Sequence, residues 1–353
     1  MKKRTKIIIS IIIGIVLVFC CGSFAIDRHI LNDTYARYTP EAPKLLLTDA
    51  DIAASHPYSD VSFELDGCTL QGHVYAPVQK PRGLVVFRHG IHSQHQDYLA
   101  LITGLVDRGW KVFAYDAIGC GESDGDSIIG FAQAPRDVHA AVEFARKSGM
   151  ADGLPVLLVG HSWGAYGVAS SLAFGDEIVG CIAMSGFDTP QGIIMEATSA
   201  LVGPLAVTQA PFVSLIGWLD FGDAANRSAV DGVNSVSVPV LVIHGTQDQV
   251  IGFDGASIMA ARNRITNRAV QYIVKDEATR NGHNSYFYTK ESNEYLAQKT
   301  EQLQKLNDEY AGKVPENVLD EFLAGVDKIQ ANTADPVLID EMDAFLGECV
   351  SKR

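Results

Sequence analysis

Gly160-His161-Ser162-Trp163-Gly164 sets a serine between two glycines, straight after the apolar run Val156–Val159 and before a stretch of helical composition. A tight strand-to-helix turn of this kind lifts the hydroxyl clear of a sheet. The glycines are needed where a Cβ would clash with neighbouring chain. The N-terminus of the following helix favours negative charge developing beside the hydroxyl. The bare pentapeptide arises by accident, but in this context Ser162 reads as a nucleophile. A serine hydroxyl is weak until a base takes its proton. After such a turn an acid and then a histidine are expected, in that chain order. Asp248 lies in His244-Gly245-Thr246-Gln247-Asp248-Gln249-Val250, and His283 in Asn281-Gly282-His283-Asn284. A lone loop aspartate more often caps a turn, and it is the order Ser162, Asp248, His283 that makes Asp248 the acid. Its rival Asp254 reads as the cap of a helix from Ala256. His244, closing a strand, reads as support for the acid loop.

Acyl chemistry also needs two backbone donors aimed at a developing oxyanion. Trp163, next after the nucleophile, supplies one N–H. The loop Arg88-His89-Gly90-Ile91-His92-Ser93 supplies the other, with Ile91 the best candidate and His89 a brace for the loop. His89, His92 and His95 lie close in sequence, but no cysteine or carboxylate set completes a tetrahedral site around them. Neither a metal nor a cofactor is expected.

These residues need a scaffold. Ser62–Leu65 and Thr69–Tyr75 alternate polar and apolar around Gly67, the pattern of a hairpin. Short apolar runs follow at 84–87, 112–115, 156–159, 178–184, 238–243 and 269–274. Helical stretches at 94–108, 137–147 and 163–174 separate them. Continuous apolar strands alternating with helices predict a mostly parallel eight-stranded sheet covered on both faces. Residues 187–234 are too long for a turn and predict a helical cap. Phe212, Leu215, Trp218 and Leu219 in it would line an apolar substrate pocket, with simple packing onto the core as the equal alternative. Residues 285–335 predict a helical insert divided by Pro315, and Pro336–Val350 a closing helix. Residues 27–60 read as a tether and lead-in to a body of 61–353.

Taken together, these motifs resemble the α/β-hydrolase superfamily, in its monoacylglycerol lipase-like and serine aminopeptidase-like branch. Besides the serine turn, Phe87-Arg88-His89-Gly90 is similar to that branch's oxyanion strand end. Asp116-Ala117-Ile118-Gly119-Cys120-Gly121-Glu122-Ser123-Asp124-Gly125 resembles its D-x-x-G-x-G-x-S-x-G loop. The resemblance runs from about residue 61 to 283 and resumes in the last helix. It implies the α/β-hydrolase fold, and that Asp116 and Ser123 order a loop beneath the site without reacting. The insert after His283 departs from the branch's pattern, either as pocket wall or as docking face.

The 353 residues are 47% hydrophobic and 20% charged, ordinary for a folded domain. The formal charge of -14 includes four positive charges in Met1–Lys6, so the body is more acidic still. Nucleic acid is therefore not an expected partner. Behind that basic start, Ile7–Ile26 carries no charge and is long enough to cross a hydrocarbon core. Residues 1–26 read as a signal anchor, favoured by the length of the run, or as a signal peptide cut near Ser23-Phe24-Ala25. Either way the body is exported, membrane-anchored or secreted. The expected activity is hydrolysis of a small acyl or lipid-like carboxylic ester through an acyl-enzyme. One alternative is an exopeptidase holding a free amine on Glu196 or Asp220. Another is a non-catalytic binding protein on the same fold.

Overall fold

The computed structural model describes residues 3–40 and 45–352. Met1 and Lys2 of the basic start, residues 41–44 of the lead-in and Arg353 lie outside it. Strands β1 (Tyr58–Leu65), β2 (Cys68–Tyr75), β3 (Leu84–Arg88), β4 (Lys111–Tyr115), β5 (Val156–His161), β6 (Ile178–Met184), β7 (Val240–Gly245) and β8 (Val270–Lys275) form one sheet. Its order is β1-β2-β4-β3-β5-β6-β7-β8. β2 runs antiparallel to both neighbours, and every pairing from β4 to β8 is parallel. The helices are α1 (Lys3–Thr34), α2 (Asp49–Ile52), α3 (Leu99–Asp107), α4 (Ala134–Lys147), α5 (Trp163–Ser171), α6 (Pro190–Val202), α7 (Ala210–Phe221), α8 (Ala229–Asn234), α9 (Lys290–Glu309), α10 (Glu316–Ala324), α11 (Lys328–Ala331) and α12 (Pro336–Ser351).

Side chains alternate across each strand, so the continuous apolar runs feed two cores. Leu84, Val86, Leu158 and Val242 pack with α4, α5 and α8 through Val138, Val142, Val168 and Val233. Val85, Phe87, Leu157 and Ile243 face the other way, onto Ile102 and Leu105 of α3 and Leu338, Met342 and Leu346 of α12. The crossover helices thus cover both faces, as a parallel sheet requires. All six cysteines are unpaired, and Cys181 is a buried thiol.

Four elements depart from the sequence reading. The helix over 137–147 starts at Ala134, because Pro135 is well placed in a first turn. No helix begins at Ala256: residues 252–261 form successive turns. The Glu196 carboxylate, reaching over from α6, accepts from the backbone N–H groups of Gly252 and Ala256 in that segment. At the end of the cap, α8 packs into the main core and belongs to the body. Finally, residues 27–40 are no loose tether. α1 runs on to Thr34, and Tyr38 then exchanges backbone hydrogen bonds with Gly119 (2.8 Å) and Gly121 (3.1 Å). The Arg37 guanidinium donates to the carbonyls of Ser123, Gly125 and Gly121 at 2.9, 2.7 and 3.0 Å. Tyr35 and Tyr38 also pack against the main core, but docking carried largely by backbone and one long side chain leaves little apolar periodicity to read.

Candidate active site

Ser162 caps α5 with φ 56° and ψ -119°, a conformation that costs a non-glycine residue strain. Its neighbours show why the turn must be tight. A Cβ on Gly160 would lie 2.4 Å from the Gly164 carbonyl oxygen, and one on Gly164 would lie 2.1 Å from that of Arg88. Both glycines are therefore fixed by backbone approaching backbone. The Ser162 N–H donates to the Met184 carbonyl at 2.8 Å, tying the turn to β6.

His283 follows β8 in an irregular loop. Its Nδ1–H donates to Asp248 Oδ2 at 2.8 Å. The other carboxylate oxygen accepts from the N–H groups of Val250 and Ile251, both at 2.9 Å. His244 Nε2 lies 3.2 Å from Oδ2 as well, which is the supporting place the sequence suggested for it. Burial alone would raise the Asp248 carboxyl. The hydrogen bonds from His244 and His283, with the His283 charge and the Ile251 N–H, outweigh it and hold the group well below the usual carboxylate range. Asp248 is thus a fixed anion that holds the Nδ1–H of His283, a residue on the wall of the Ser162 cavity. Asp254, the rival acid, is solvent-exposed and makes no such contact.

Sequence reasoning missed the frame that holds His283. Its carbonyl accepts from the Ser185 hydroxyl at 2.9 Å and from His161 Nε2–H at 3.1 Å. Ser185 is in turn bonded to the Tyr286 hydroxyl at 2.8 Å. His161 Nδ1 accepts from the Tyr98 hydroxyl at 2.8 Å, and that hydroxyl accepts from the Gly90 N–H at 3.0 Å. Burial first, and then the charge of His283, push the His161 imidazole far down, so it stays neutral. A neutral ring is what this one-donor, one-acceptor chain needs.

The oxyanion candidates sit on the same frame. His89 accepts from the Ala117 N–H at 2.9 Å and donates from Nδ1 to the Gly90 carbonyl at 2.6 Å. Burial and then the neighbouring Arg88 lower its imidazole to about 3, so it braces the loop as a neutral group. Fully buried Arg88 pairs with Asp137 at 3.1 Å and stacks 4.2 Å over the Trp163 ring. The N–H groups of Ile91 and Trp163 donate to no acceptor among the described residues.

Ser162, His161, His283, Ile91 and Gly90 line one cavity of about 460 Å³. Leu46, Val250, Phe287, Tyr288, Asn293 and Leu296 complete much of its wall. Asn293 and Leu296 belong to α9, so the insert after His283 is pocket wall. Ser162 and His283 both line this space, and no hydrogen bond joins their side chains; serine–imidazole contacts of this kind often tighten only when substrate binds. Phe212, Leu215, Trp218 and Leu219 do not line it. Trp218 instead lines a second cavity of about 250 Å³ between α1 and the cap, with Leu31, Tyr35, Phe131 and Val213. The two acids weighed for an amine are already engaged. Glu196 binds backbone N–H groups, and Asp220 takes both Arg28 nitrogens at 2.7 and 2.9 Å.

Beneath the site, Asp116 accepts from the N–H of His95 (2.8 Å) and of Glu122 (3.0 Å), and Ser123 Oγ bridges Asp116 and β2. This is the loop-ordering place the resemblance implied. A Cβ on Gly121 would meet Asp116 Oδ2 at 2.1 Å, so the glycines of this loop serve close turns. His95 sits between Asp116 (2.8 Å) and Asp49 (3.0 Å), with His73 3.4 Å from Asp49. Nδ1 or Nε2 atoms of His73 and His95 and a carboxylate oxygen of Asp49 come within 4.8 Å of one another, and Asp116 and Tyr75 are hydrogen-bonded to the same cluster.

The model of the family described as serine aminopeptidase, S33, matches residues 79–211. Human monoglyceride lipase is 33% identical over 114 residues, 31% of this chain and 37% of that protein. The uncharacterized protein YfhR of Salmonella typhi is 27% identical over 184 residues, 51% of this chain and 59% of its own. The alignments thus span only about a third to three fifths of these relatives' lengths. Among solved structures, an esterase of Pyrococcus furiosus superposes with a TM-score of 0.55 at 19% identity, covering 90% of this chain and 98% of that one. At that identity the likeness speaks for the fold.

Proposed function

We propose that this chain is an α/β-hydrolase of the monoacylglycerol lipase-like and serine aminopeptidase-like branch and cleaves a carboxylic ester through a Ser162 acyl-enzyme. The observation that carries the reading is the pairing of His283 Nδ1 with Asp248 at 2.8 Å at the edge of the cavity that holds Ser162. His283 takes the Ser162 proton as the hydroxyl attacks the ester carbonyl, then gives it to the leaving alcohol. Asp248 stabilises the imidazolium between these steps. The Ile91 and Trp163 N–H groups receive the oxyanion. Water, activated by the same imidazole, releases the acid. The mixed wall, with Leu46, Leu296, Phe287 and Val250 beside Asn293, suits a small acyl or lipid-like ester.

The engagement of Glu196 and Asp220 speaks against the exopeptidase alternative. A scaffold without catalysis has no use for a strained serine beside an ordered His–Asp pair. We read α1 as an uncut anchor with the body outside the cytoplasm. Phe19 of this helix packs on Phe212 of the cap, a contact that a cut near Ala25 would remove. Purified protein given p-nitrophenyl acyl esters and amino-acid p-nitroanilides should turn over the esters and leave the anilides. Preference for the anilides would overturn the ester reading.

A further inference from the structure

From Ala197 to Leu219 the chain carries no charge. This stretch forms the end of α6, the 3₁₀ turn of Gly203–Thr208 and nearly all of α7. Ala206, Val213 and Ile216 of this stretch are buried, but Leu201, Leu205 and Val207 are 80, 70 and 72% exposed, and Trp218 and Leu219 are 58 and 55% exposed. Exposed apolar side chains in this number on one uncharged segment mark an interaction face.

Two contacts with α1 say where this face lies. Phe19 meets Phe212 edge to face with centroids 6.1 Å apart. Arg28 and Asp220 form a two-pronged ion pair at 2.7 and 2.9 Å. At 1.5 Å per residue, Phe19 lies about 10 Å inside the end of the uncharged run at Ile26, and Arg28 about 3 Å beyond that end. Along α7, Phe212 and Asp220 are about 12 Å apart, nearly the same interval. The two helices therefore run side by side from the apolar interior to one charged level. If α1 crosses a bilayer, the Phe212 end of α7 is at hydrocarbon depth. Charge there is costly, and the uncharged stretch ends at Asp220, whose partner Arg28 stands at the headgroup level.

We propose that the cap is seated in the bilayer leaflet beside α1, with α7 and the 203–208 turn among the acyl chains and the Arg28–Asp220 pair at the interface. The proposal rests on α1 being an uncut anchor, and extends it from a single helix to a membrane-inserted cap. The sequence supplies its own reporter. Trp110 and Trp163 are fully buried, whereas Trp218 is exposed on the proposed face. Full-length protein and its Trp218→Phe variant are reconstituted into phosphatidylcholine vesicles with plain or brominated acyl chains. Brominated lipid should remove the Trp218-dependent part of the emission and leave that of Trp218→Phe unchanged. Retention of the protein after an alkaline carbonate wash, with Trp218 emission unaffected by bromine, would overturn the seated cap and leave the anchor standing. Release of the protein by the wash would overturn both.

Discussion

Asp248 has more partners than the orientation of one imidazole requires. Two backbone N–H groups, His244 and His283 converge on its carboxylate. Asp248→Asn removes the charge and lets His283 adopt the wrong tautomer, so kcat should fall about 10⁴-fold with the fold intact. Tyr98 is the second test. Its hydroxyl joins the Gly90 N–H to His161 and so to the His283 carbonyl. Tyr98→Phe should lower kcat up to about tenfold, the worth of one buried hydrogen bond, with little change in KM. An unaltered kcat would make the chain mere packing. The proposed set of Ser162, Asp248 and His283 could be drawn up from sequence because strand ends and chain order single these residues out. Tyr98 and Ser185 could not: their contacts join positions 63 and 98 residues apart, and nothing local in either residue signals a partner.

Among the elements, the sheet was readable because each buried strand is an unbroken apolar run between turn signals. What escaped was docking through polar atoms. Arg37 looks like any exposed arginine in sequence, yet it ties three carbonyls of the loop that carries Asp116 and Ser123. Arg37→Ala should cost about 1 kcal/mol of stability after allowance for solvent, read by urea denaturation. The cap was legible as helical, but its direction was not: an amphipathic pattern fixes which side chains share a face, not what lies against it. Hence Phe212, Leu215, Trp218 and Leu219 sit away from the Ser162 cavity, and α9 supplies wall in their place. Leu296→Ala should raise KM for longer acyl esters by up to about tenfold and leave acetate esters nearly unchanged, as lost apolar contact predicts.

At the scale of the molecule, the lead-in, the sheet and the loop beneath the site meet at His95. Burial alone would lower its imidazole, but Asp116 first and then Asp49 push it up to about 10. An imidazole in the unfolded chain titrates near ~6.5, so this network stabilises fully below that pH. Its contribution is lost as pH rises from about 6.5 through about 10. The melting temperature should fall over that window, and His95→Gln should flatten the slope. A slope unchanged in the variant would place the titration elsewhere. The chemistry proposed for the Ser162 hydroxyl can be tested directly. Folded full-length protein is treated with a fluorophosphonate probe, and the adduct is located by peptide mass spectrometry. A single adduct on Ser162, lost in Ser162→Ala and strongly slowed in His283→Ala, is the result expected. Folded protein that takes no label, or labels on another residue, would contradict it.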